Sequence, residues 1–161
     1  MAEGEKRLQI LLSLMSAKGV TKIELAGMMG MSRQNIHTFF RRDDMKLSLA
    51  QEIAGKLGYD LSYRLEKEGD TSNVVTEIEG LVGKDGLQRL AFLRIAMSRY
   101  GIERRQLAED LGFNYAGIGR WFRVDDIAIS HIYEIAKLYG LNVKIKASIH
   151  REDNPGDLEL S

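Results

Sequence analysis

The chain has 161 residues, 44% hydrophobic and 29% charged, enough apolar material for two modest cores. It has no cysteine, which excludes disulfides and thiolate metal sites. Its 23 basic residues are matched by 23 acidic ones, so a nucleic-acid binder of this composition must gather its positive groups locally.

Leu8, Leu11, Leu12 and Met15 recur at helical spacing, which predicts a first helix stopped by Gly19. Thr21-Lys22-Ile23-Glu24 is a capping box, in which Thr21 and Glu24 satisfy free backbone donors reciprocally. The helix it opens carries Leu25, Ala26 and Met29 inward and ends at Gly30, which takes a left-handed turn at little cost. Ser32 is placed to cap a third helix running to about Arg41, with Ile36 and Phe40 assigned to the core. Ser48 is expected to cap a fourth, in which Leu49, Ile53, Ala54 and Leu57 share a face and Gly58 closes the run. The period then falls to two. Leu61, Tyr63 and Leu65 alternate with Ser62, Arg64 and Glu66, as in a short half-buried strand.

Asn73 to Val82 fits either a helix or a strand hairpinned through Gly69-Asp70, with the strand preferred. The plan then repeats. Residues 7–64 laid over 89–146, with no gap, agree at nineteen of 58 positions. Among them are Leu25/Leu107, Ala26/Ala108, Gly30/Gly112, Ile36/Ile118, Phe40/Phe122 and Gly58/Gly140. Two copies of ~60 residues fit two small domains better than a solenoid, which needs three or more units. Asn114 and Ser130 are the corresponding caps, and Val143, Ile145 and Ala147 form the second alternating strand. An isolated strand is not stable, so the strands at 61–66 and 143–149 are expected to pair in one small sheet joining the halves. The expected divisions are 1–68, a linker or hairpin at 69–84, 85–150, and a frayed polar tail at 151–161.

A helix, a turn of about three residues at glycine and a second helix form the helix-turn-helix arrangement. Leu25-Ala26, Gly30, Ile36 and Leu49 through Gly58, echoed by Leu107-Ala108, Gly112, Ile118 and Ile135-Ala136 through Gly140, resemble the phage-repressor-like (Cro/CI, XRE) family. The resemblance covers about 120 residues in two copies. It implies a mainly α fold of two lambda-repressor-like units, each followed by a short strand.

In that family the helix after the turn enters the major groove, and its N-terminal side chains meet base edges. The resemblance therefore implies Ser32, Arg33, Gln34, His37 and Thr38 as readers in copy one. The chemistry agrees: arginine bonds guanine O6/N7 with two donors, and glutamine matches adenine N6/N7. Lys22, Arg41 and Arg42 would hold phosphates. From Ser32 to Arg42 there are three arginines and no acid, so the stretch is positive within a neutral chain. The bland alternative is a solvated helix face.

Copy two departs where function would reside. Its equivalent helix contains Gly117 and Gly119, which cost roughly 1 kcal/mol each relative to alanine and remove reading side chains. Close approach to phosphates, or tight packing on another surface, would account for them. Arg104, Tyr115, Arg120 and Arg123 remain as candidate DNA contacts, with Arg99 and Arg105 adding charge nearby; Trp121 is assigned to core or interface.

The pairs Asp43-Asp44 and Asp125-Asp126 are expected in solvated loops, and the three histidines lack ligand spacing. No nucleophile-base pair or phosphate loop is suggested, so no enzyme, metal or cofactor is expected. No charged-then-apolar leader or long apolar run occurs, making the cytoplasm the default compartment and a membrane no expected partner. The expected function is a DNA-binding transcriptional regulator of phage-repressor type on double-stranded DNA, a monomeric pseudo-dimer or a homodimer. The alternatives are a protein-protein interaction module, or an antitoxin-like regulator whose second copy docks a protein partner. A continuous positive face joining Lys22, Arg33, Arg41 and Arg42 favours DNA; a neutral apolar patch around Tyr115 and Trp121 favours protein.

Overall fold

The computed structural model describes residues 6–70 and 89–149. The segments at Asn73–Val82 and Arg151–Ser161, with the readings made for them, lie outside the described residues. In chain order come α1 (Gln9–Lys18), α2 (Lys22–Met29), α3 (Arg33–Arg42), α4 (Leu47–Lys56) and β1 (Tyr59–Glu66). After the linking segment follow α5 (Ala91–Tyr100), α6 (Arg104–Leu111), α7 (Tyr115–Val124), α8 (Ile129–Tyr139) and β2 (Asn142–Ile149). Each helix of the second copy begins 82 residues after its counterpart: 9 and 91, 22 and 104, 33 and 115, 47 and 129. The described residues are mainly α with one two-stranded antiparallel sheet. No helix among the described residues is long and apolar enough to cross a membrane.

The local signals act as the sequence implies at the first three helices. The Thr21 side chain accepts from Glu24 N while the Glu24 carboxylate accepts from Thr21 N, completing the capping box. Gly30 takes φ 67° just past α2, and its N–H closes the last turn on Gly27 O. Ser32 accepts from Asn35 N, and Asn114 does the same for Gly117 N at the head of α7. Leu11, Leu25, Ile36, Ile53 and their counterparts Leu93, Leu107, Ile118 and Ile135 are almost wholly buried in one continuous core. Phe40 meets the reading in part: it packs against this core but is only half-buried, with Lys22 Nζ 5.4 Å from its ring centre. Trp121 is buried, stacked on His131 at 5.4 Å and edge-on to Phe113 at 5.9 Å.

The fourth helix of each copy corrects the sequence reading. Lys46 and Ala128, not Ser48 and Ser130, occupy the cap positions, and neither makes a side-chain cap bond. The free amides are met from the other copy. Asp126 accepts from Ser48 N at 3.0 Å and from Ser48 Oγ at 2.5 Å, and Asp44 accepts from Ser130 N at 2.8 Å. Asp43 and Asp125 also leave the solvated-loop reading. Asp43 accepts from Arg7 N and Leu8 N at the head of α1, and Asp125 from Arg89 N and Leu90 N at the head of α5. The aspartate pairs are therefore half-buried caps. A carboxylate at a helix N-terminus satisfies orphan N–H groups and meets the positive end of the dipole.

These contacts tie the copies together through equivalent residues. Leu47 N donates to Ile127 O and Ile129 N to Met45 O, and Lys46 faces Ala128 across an antiparallel bridge. The sheet has the same property. Tyr63 lies opposite Ile145, its own counterpart, with Leu61 facing Ala147 and Leu65 facing Val143. Pairing centred on equivalent residues is what a local two-fold relation between the copies requires. The expected joint sheet forms, with β1 starting two residues earlier and β2 one residue earlier than the alternation implied. Leu61, Tyr63 and Leu65 point into the core, so the alternation correctly gave the buried face.

Candidate nucleic-acid interface

Helices α2 and α3 pack against each other through Leu25, Ala26 and Ile36, leaving the opposite face of α3 in solvent. That face and the start of α2 enclose a shallow concavity of about 610 Å³, lined by Lys22, Ile23, Arg33, Gln34, His37, Thr38 and Arg41. Six of these seven are residues that the sequence singled out. The seventh, Ile23, is 60% exposed amid polar neighbours. Its signal was present: an isoleucine on the outward side of a capped helix is apolar where nothing among the described residues covers it.

Ser32 and Arg42 do not line the concavity. The Ser32 oxygen is engaged by Asn35 N, so the residue fixes where α3 begins. Arg42 stands exposed in the last turn of α3, beyond the concavity. No carboxylate among the described residues is in an ion pair with Lys22, Arg33, Arg41 or Arg42. Three of those cations line one concavity that no acid lines, and Gln34, His37 and Thr38 line it with them. The arrangement suits an anionic ligand that also presents hydrogen-bonding edges.

In copy two, Tyr115 replaces Arg33, Ala116 replaces Gln34 and Gly119 replaces His37 by position. Tyr115 is 50% exposed, with the Arg105 guanidinium 5.2 Å from its ring centre. Arg120 and Arg123 are exposed on α7, whereas Arg104 is half-buried with its guanidinium 4.2 Å from the Phe122 ring centre. The two glycines differ. A Cβ on Gly117 would sit 3.2 Å from the Asn114 oxygen that caps the helix, whereas one on Gly119 would meet nothing within 4 Å. Packing within the described residues thus constrains Gly117 mildly and Gly119 not at all.

Two further readings change. Arg99 is not free charge beside α7: its Nε donates to Asp70 at 3.0 Å, and the same carboxylate takes the Tyr100 hydroxyl. The neutral apolar patch around Tyr115 and Trp121 that would favour a protein partner is not formed by these two residues, since Trp121 is buried and Tyr115 carries an arginine. Among the described residues no group of three His, Cys, Asp or Glu side chains is placed to hold a metal ion. No family model, curated protein or solved structure matches the chain, so the chemistry of this surface carries the functional reading.

Proposed function

We propose that the protein is a sequence-specific binder of double-stranded DNA, a regulator of the phage-repressor type that its motifs resemble, acting as an intramolecular pseudo-dimer. The observation that carries this reading is the unpaired cationic concavity of copy one, with Arg33 and Gln34 in the first turn of a solvent-facing helix. Arginine and glutamine are the side chains best matched to guanine and adenine in the major groove. Lys22 and Arg41, which line the same concavity, are suited to phosphates beside the bases. Equivalent-residue pairing along the sheet and at Lys46/Ala128 supports two DNA-facing surfaces in one polypeptide.

Selection of bound fragments from random duplex DNA, at fixed moderate salt, tests the reading. Recovery of a defined sequence supports it. Binding that is uniform over all duplexes, or none at all, rejects sequence-specific recognition and favours the interaction-module alternative. In that alternative the exposed Phe113, Tyr115 and Val124 of copy two would meet a protein partner.

A further inference from the structure

Phe122 of α7 is buried, yet its ring has two guanidinium groups against it. The carbon of Arg94 lies 4.9 Å from the ring centre and that of Arg104 lies 4.2 Å from it. Both distances run to one centroid, so the two guanidinium carbons are within 9.1 Å of each other. No carboxylate among the described residues pairs with either arginine. Two like charges this close, with no acid between them, are mutually repulsive until an anion arrives.

Copy one has only half of this arrangement. Lys22 stands 5.4 Å from the Phe40 ring centre where Arg104 stands over Phe122. The counterpart of Arg94 is Leu12, which is half-buried and packs on the core. The second cation is therefore a feature of copy two, the copy whose recognition helix lost its reading side chains. Resting a guanidinium on a ring leaves its N–H edge free to donate, and restricts rotamers before any ligand binds.

We propose that Arg94 and Arg104, held on Phe122, form a phosphodiester clamp with which copy two grips the duplex backbone without reading bases. The proposal rests on the DNA-binding reading above. Successive phosphates of one strand advance ~3.4 Å along the helix axis. A pair no more than 9.1 Å apart can therefore act on one short stretch of a single strand's backbone.

The test is the salt dependence of duplex binding by the full chain and by Arg94→Gln, Arg104→Gln and the double variant. Each single change should reduce the slope of log affinity against log salt by ~0.9, and the double by about twice that. The ratio of affinities for preferred and unrelated duplexes should not change. Arg99→Gln, which removes a cation already taken by Asp70, should leave the slope as it is. Arg94→Leu, which restores the residue of copy one, and Arg104→Lys, which keeps the charge, are second variants for a glutamine that disturbs folding. The leucine should reduce the slope by the same ~0.9 and the lysine should leave it unchanged.

A parent that binds with a steep slope while the variants keep it overturns the clamp and leaves the DNA reading standing. Variants that alter the preferred-to-unrelated ratio overturn it as well, since the arginines then read bases. A parent that binds no duplex at any salt overturns the DNA reading itself, and the clamp with it. An acidic protein would then be the remaining class of partner for this surface.

Discussion

At Asp43 and Asp125 the backbone turns left-handed at a residue with a side chain, φ 60° and 57°. Aspartate is among the few non-glycine residues that tolerate this conformation. It also supplies what glycine lacks, a carboxylate that reaches back to two backbone amides at the start of a helix 36 positions earlier. The neighbouring aspartate then crosses to the other copy. Asp126→Ala strips Ser48 of two bonds and Ile127 N of one. A cost of ~1–2 kcal/mol is expected in urea unfolding. Asp44→Ala removes the bond to Ser130 N and should cost less. Equal costs would mean that the bonds of Asp126 to Ser48 Oγ and Ile127 N add nothing.

Tyr63 gives a second prediction at this scale. Its hydroxyl is buried without a hydrogen-bond partner among the described residues. Burial, with a smaller contribution from Tyr133, pushes its pKa well above the ordinary value of 10.0. The unfolded chain therefore releases this proton first, and stability falls as pH rises above about 10. Tyr63→Phe removes the orphan hydroxyl, so it should raise stability by ~1 kcal/mol at neutral pH and make the alkaline loss shallower. Tyr139 and Tyr100, raised chiefly by burial and then by bonds to Asp110 and Asp70, keep the remainder.

At the scale of elements, the contrast between α3 and α7 sets the expected roles. Both start at a capped turn and bury one isoleucine at the same place, Ile36 and Ile118. Their outer faces differ in kind. Arg33→Ala should cost ~1–3 kcal/mol at a selected site and relax the preference at one base pair. Lys22→Ala should weaken all duplexes by one factor and make the salt dependence shallower. Two variants that bind like the parent would remove α3 from the interface.

Helix periods, glycine stops and caps within one copy are local, and for that reason they were legible. The heads of α4 and α8 were not. Ser48 and Ser130 look like caps because nothing nearby in sequence says that an aspartate 78 or 86 positions away serves the same amides. The concavity was largely legible, since its residues lie within about two helices. Arg94 was not singled out, although its mismatch with Leu12 in the repeat was there to be seen.

At the scale of the molecule, the shared sheet and exchanged aspartates make each copy a structural requirement of the other. Residues 1–70 alone would leave β1 without its partner strand and the head of α4 without Asp126. Circular dichroism of that fragment is expected to give little stable helix, so the roles of the copies are better separated within the whole chain. With a local two-fold relation and unlike outer faces, the selected duplex should hold one strongly specified half-site beside one weakly specified half-site, in fixed orientation. Grafting tests this by gain of function. Tyr115→Arg, Ala116→Gln, Gly119→His and Arg120→Thr together transfer the outer face of α3 to α7. The backbone accepts the change: Tyr115, Ala116 and Arg120 are exposed, and Gly119 opens onto space. Gly117 is left alone, because a Cβ there would press on the Asn114 cap at 3.2 Å. Helix propensity at position 119 also improves by a few tenths of a kcal/mol, so the graft should not unfold the chain. Selection with the grafted protein should recover a near-palindrome, the strong half-site repeated about one helical turn away on the opposite strand. If the grafted chain, folded by circular dichroism, still selects the parent's lopsided site, copy two does not face the groove, and the two-fold relation governs stability alone.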